Sequence, residues 1–175
     1  TSDGPGMQAP PANGVVDFFD PEGFRRDDDR PDHLFYEQPR LVQHLDSTCR
    51  AEIERQYGRL IAPGAQVLDL MGSWTSHLPA DLDLAGLTVL GLNGEELRAN
   101  PRATAIVDHD LNREPVLPFA DGSFDAVICT ASVEYLLDPR RAAREIGRAL
   151  RPGGVAALSF ANRWFPPKAV RWWTD

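Results

Sequence analysis

The chain has 175 residues, enough for one domain with a substantial core. Its 42% hydrophobic and 25% charged residues are those of an ordinary globular protein. No run of about 18 apolar residues offers a membrane span. The formal charge of −8 disfavours nucleic acid or an anionic membrane as partner, because both select a basic surface.

Two cysteines, Cys49 and Cys129, are too few for a disulfide scaffold. Cys129 lies in an apolar run and reads as a buried thiol. A reducing compartment follows, either cytoplasm or an organelle matrix or stroma such as a plastid's. The chain begins at Thr1 with no visible signal peptide, which fits a start removed after a transit peptide as well as a missing one.

Residues 1–32 are rich in Pro, Gly and Asp and read as an extended arm. Asp27, Asp28 and Asp29 point in different directions on any regular backbone, so a solvated loop is preferred to a metal cluster. Phe18, Phe19 and Phe24 should pack against the domain or a partner. The domain itself is placed at 33–175. From Phe35 to Ile61 apolar residues recur at roughly helical spacing, with Asp46-Ser47 as N-cap and Pro63-Gly64 as stop.

Val67–Met71 is an apolar run interrupted by one acid, Asp69, and reads as a strand buried on both faces. The small residues after it form a tight turn, and Trp74–Leu78 is expected to add a helical turn or two. A carboxylate inside such a strand is costly unless paired, so Asp69 caps the turn or faces a ligand. Leu87–Leu92, Thr104–Val107, Phe124–Ala131 and Val155–Phe160 read as four further strands. Between them lie a short helix from Gly94 and an amphipathic helix from Asp138 to Leu150, with Pro139 at its first position. Arg140, Arg141, Arg144, Arg148 and Arg151 read as a solvated face. Strands alternating with helices predict a doubly wound parallel α/β sheet.

Four pieces fall at the carboxyl ends of successive strands: Asp69 with Gly72 and Ser73, Asn93 with Glu95, Asp108 with Asp110, and Thr130 to Tyr135. Such ends converge on one crevice. Turn chemistry alone explains any one of them about as well as a ligand does. Their order along one small domain favours the ligand.

Leu117-Pro-Phe-Ala-Asp-Gly-Ser-Phe-Asp-Ala-Val, followed by Leu150-Arg-Pro-Gly-Gly-Val, resembles the class I S-adenosylmethionine-dependent methyltransferases, of the type that includes the ubiquinone and menaquinone methyltransferases. Val67-Leu-Asp-Leu is similar to the start of that family's first motif. Phe35-Tyr-Glu-Gln-Pro-Arg, Leu70-Met-Gly-Ser-Trp-Thr-Ser-His-Leu-Pro and Ser159-Phe-Ala-Asn-Arg-Trp-Phe-Pro resemble a bacterial and plant branch of it. The resemblance implies a Rossmann-like fold, S-adenosylmethionine as cofactor and a small or lipid-like acceptor. It places Asp69 and Gly72 by the methionine part of the cofactor, Asn93 at the ribose, Asp110 and Leu111 at the adenine, and Thr130 with Ala131 at the edge of the substrate pocket, with Ser73 and Thr130 also counted among the cofactor-binding positions.

The chain departs from that pattern in three places. Met71, Ser73 and Thr75 stand where the family's first turn has glycines, and only Gly72 lies among them. Asn93 replaces a ribose-binding acid, at a cost of roughly 1–2 kcal/mol. The chain stops soon after the fifth strand, where the family adds two more, so a sheet without them is expected. His77, Glu134 and Tyr135 are candidate bases by position, each better explained by turn, helix-start or core roles, and catalytic residues are left unassigned. These departures open a second reading, a non-catalytic methyltransferase-like subunit of a larger assembly, such as one in an organelle.

Overall fold

The structure is a computed structural model and describes residues 21–174; Phe18 and Phe19 lie outside them. Five strands form one parallel sheet: β1 (Ala65–Leu70), β2 (Leu84–Gly91), β3 (Ala105–Asp108), β4 (Phe124–Thr130) and β5 (Leu150–Ser159). Their order is β3-β2-β1-β4-β5, so β1 is central, with Val67 beside Leu87 on one flank and Ala126 on the other. The winding reverses between β1 and β4, which opens a crevice above their carboxyl ends. This is the doubly wound α/β sheet expected. Among the described residues β5 is an outer strand.

Alternating side chains of the strands feed two cores. Val67, Val89, Ala126 and Ile128 pack with Ile53 and Tyr57 of α2 (Ser47–Leu60). On the opposite face Leu68, Leu70, Val127 and Cys129 pack with Ala142 and Ile146 of α4 (Pro139–Ala149). Asp46 and Asp138 cap their helices as expected, and Asn93, read from sequence as a ribose contact, caps a third. Asp46 accepts from the Cys49 N–H, Asn93 from Glu95 and Glu96 at the start of α3 (Gly94–Ala99), and Asp138 from Arg141.

Several local expectations need correction. Residues 36–46 form an irregular strap rather than helix; only one helical turn, α1 (Asp32–Phe35), precedes it. Gln38-Pro39 explains the break, because the residue before proline avoids the helical region. Trp74–Leu78 is not helical either. His77 there has φ 50 and Met71 φ 55, left-handed conformations that no helix continues through. β5 begins at Leu150, not Val155, because Leu150 already pairs with Phe124 before a bulge that absorbs Arg151–Gly154. Arg148 is less solvated than expected, since it binds Glu145, Asp121 and the carbonyls of Leu117 and Phe119.

The two ends of the described chain meet over the crevice. Lys168 is fully buried, with its Nζ 3.1 Å from Asp32 Oδ1 and 2.6 Å from the Arg30 carbonyl. Arg26, also buried, binds both oxygens of Asp32 at 2.7 and 3.0 Å. Asp28 N–H donates to the Pro167 carbonyl and Arg171 N–H to that of Arg25. Two cations on one carboxylate, with carbonyls around them, satisfy charges that burial would otherwise make prohibitive.

Candidate functional site

At the carboxyl ends of β1, β2, β3 and β4 lies a cavity of about 300 Å³, at the small end of the range for ligand pockets. The sheet supplies its floor, the strap one wall, and residues 163–165 of the tail part of its mouth.

Asp69 ends β1 in this floor. It is 2% exposed, and its Oδ2 has no hydrogen-bond partner. Burial pushes its carboxyl up to about 7, against a hydrogen bond from Ser76 that pulls it down. The backbone that follows passes very close to neighbouring groups. A Cβ on Gly72 would lie 2.7 Å from Asp69 Oδ2, and one on Gly91 would collide with the Gly72 carbonyl. Only glycine allows β1 and β2 to end so close together. Asn100 then fixes the loop by donating to the Ser73 carbonyl and the Ser76 hydroxyl, both at 2.9 Å.

Asn93 follows β2. Its Oδ1 caps α3, and its Nδ2 donates to the carbonyls of Tyr36 and Glu37 at 2.8 and 3.1 Å. The amide is therefore committed to the helix and the strap. Glu96, one turn on, is similarly engaged: Ser73 Oγ and the Arg40 N–H bind its two oxygens at 2.5 and 2.6 Å. Asp110 follows β3 and accepts from the backbone of Asn112 and Arg113 through Oδ1. Thr130, at the end of β4, shares a 2.7 Å hydrogen bond with the Tyr57 hydroxyl. Ala131 beside it is left-handed at φ 48.

Asp69, Gly72, Ser73, Asn93, Asp110 and Thr130 thus line one cavity. Leu111 does not; it is buried in the core under α4. Glu134 is buried with both oxygens unpartnered, and burial pushes it up to about 7. Tyr135 reaches the cavity, and its hydroxyl accepts from the Phe165 N–H. His77 lines the cavity too, and burial lowers its pKa.

The walls also contain His44, read from sequence as a packing or capping residue, and residues to which sequence reasoning gave no role at the site: Tyr36, Arg40, Arg163 and Phe165. The Arg40 guanidinium lies 4.6 Å from the Phe35 ring and 5.3 Å from that of Phe165, and its Nη2 donates to the Phe35 carbonyl. The only signal for these last four was that the stretches 35–40 and 159–166 combine aromatic rings with arginine.

Residues 71–158, just over half of the chain, match the family described as a methyltransferase domain. The chain is 34% identical over 124 residues to a demethylmenaquinone methyltransferase of Renibacterium salmoninarum, covering 65% of this chain and 51% of that protein. It is 32% identical over 107 residues to an uncharacterized methyltransferase of Mycobacterium sp. (strain JLS), covering 60% and 42%. The chain therefore spans about half the length of these relatives. Among solved structures it resembles the PH0226 protein of Pyrococcus horikoshii (TM-score 0.57, 20% identity, 74% of this chain and 66% of that one). It also resembles a Haloferax volcanii methyltransferase complexed with the Trm112 methyltransferase activator (TM-score 0.53, 23% identity, 62% and 51%). Both likenesses concern the fold. With the sheet order, the strand-end cavity and a family match over half its length, the chain belongs to the class I S-adenosylmethionine-dependent methyltransferases.

Proposed function

We propose that the chain binds S-adenosylmethionine in the strand-end cavity and transfers its methyl group to a small or lipid-like acceptor. The observation that carries this reading is the convergence of four strand ends on one hollow whose floor holds an unpartnered carboxylate oxygen, that of Asp69.

The lining at both ends of the cavity supports this reading. Asp69 and the backbone at Gly72 would take the methionine part, where an unpartnered acceptor awaits a donor. Asp110 would take the adenine, its Oδ1 already held by the turn. At the ribose the fit rests on Asn93 as part of the wall, because its amide is engaged by the strap. The bound cofactor would supply an electrophilic methyl group on a sulfonium. What the chain contributes is alignment and exclusion of water. The strap and tail roof the cavity, and Trp74 Nε1 donates to the Val42 carbonyl across its rim.

Asn93 also supports the second reading, a subunit that keeps the fold without turnover, because the strap occupies hydrogen bonds that the family leaves to the ribose. Calorimetry of the full chain with S-adenosylhomocysteine separates the two. Saturable binding displaced by S-adenosylmethionine supports the enzyme. Absence of binding, with a folded protein, favours the subunit.

A further inference from the structure

The cavity's charged groups are unequally satisfied. Of the carboxylates in its wall, Asp69 in the floor keeps one unpartnered oxygen, whereas Asp32, nearer the strap and tail, is shared by Arg26 and Lys168. Glu96 has both oxygens taken, and Asp110 is held in its turn after β3. The guanidiniums are left wanting. Arg40 Nη1 is buried without a hydrogen-bond partner, although the rest of that side chain is clamped between aromatic rings. Arg163 is exposed at the mouth, and among the described residues no carboxylate lies within ion-pair distance of it. Its charge only assists the Cys49 N–H in holding Asp46 low. Two cations, one with a buried unpartnered donor and one exposed, line one cavity in a chain whose formal charge is −8. A buried guanidinium donor without an acceptor is costly unless a ligand completes it, and guanidinium pairs best with carboxylate or phosphate.

We infer that the methyl acceptor is an anionic small molecule, a carboxylate or phosphate ester with a planar or apolar body, whose anion docks on Arg163 and Arg40. The rings of Tyr36, Phe165 and Trp164 line the same mouth and cover the body. This inference rests on the methyltransferase reading and goes beyond it by naming the acceptor's charge.

The test is calorimetry of the full chain in the presence of S-adenosylhomocysteine, with phenylacetate and phenyl phosphate as anionic probes and phenylacetamide as the neutral one. The anions should bind at least about tenfold more tightly than the amide. Arg163→Gln, a surface change that leaves the fold intact, should remove most of that preference and leave S-adenosylhomocysteine binding unchanged. Equal binding of anions and amide, or an Arg163→Gln protein that keeps the preference, overturns the inference while S-adenosylhomocysteine binding still stands. Anion preference in a protein that binds no S-adenosylhomocysteine overturns the methyltransferase reading instead and leaves an anion site. Arg40→Gln is assayed with S-adenosylhomocysteine and with 5′-methylthioadenosine, which lacks the amino-acid carboxylate. Weakening of the first alone assigns Arg40 to the cofactor's carboxylate and overturns its role toward the acceptor.

Discussion

Lys168 Nζ lies 3.1 Å from Asp32 Oδ1, and neither side chain is more than 5% exposed. With Arg26 on the same carboxylate, this contact joins the segment before the strap to the tail that completes the cavity mouth. Asn112 extends the cluster toward β4, donating to Asp32 Oδ2 and to the Tyr135 carbonyl. The roof of the site is therefore held by buried charge rather than by helix packing.

Lys168→Met should destabilise the fold by about 3 kcal/mol, the range seen when one member of a buried ion pair is removed. Asp32 keeps Arg26, so the loss should stay below that of Asp32→Ala, which strands two cations. Urea unfolding of both variants checks the order.

Asp69 and Glu134 should make stability fall as pH rises from about 4 to 7. Burial raises each carboxyl to about 7 in the folded state. In that window the folded protein holds protons that the unfolded chain has released, so each group costs up to about 1.4 kcal/mol per pH unit. Asp69→Asn and Glu134→Gln should each flatten the slope, measured as unfolding free energy across the window. An unchanged slope would mean that neither group is buried in neutral form.

Gly91→Ala should cost about 3 kcal/mol, an overpacking penalty, because its Cβ would collide with the Gly72 carbonyl rather than with a side chain free to move. Ala131→Gly should act in the opposite sense and stabilise by about 1 kcal/mol, since residue 131 is left-handed at φ 48. Thermal unfolding of the pair separates steric crowding from backbone strain.

Asn93→Asp keeps the acceptor that caps α3 but replaces the two donors to the Tyr36 and Glu37 carbonyls with a carboxylate oxygen. The strap should loosen, with a cost of about 1–2 kcal/mol for the lost and repelling contacts. Hydrogen exchange of residues 36–46 should quicken while α4 is unaffected.

The sheet was legible because each strand is an apolar run between turn formers, and because Asp46 and Asp138 announce their helices. Six of the seven proposed site positions line the cavity for the same reason: strand ends of one parallel sheet must converge. Leu111 went to the core instead, since an apolar residue beside a pocket and one beneath it look alike in sequence. The strap escaped because Tyr36, Leu41, Val42 and Leu45 mimic helical spacing across a proline. The buried Lys168 escaped because its partners are 136 and 140 residues away in Asp32 and Asp28, beyond the reach of local pattern.

The most direct measurement is an amide NMR titration of the full chain with S-adenosylhomocysteine. The account predicts saturable shifts, with a common affinity, at Gly72, Asn93, Asp110 and Thr130, and none on the outer face of α4. Shifts confined to one strand end, or spread over the surface with differing affinities, would contradict a single nucleoside pocket built from the converging strands.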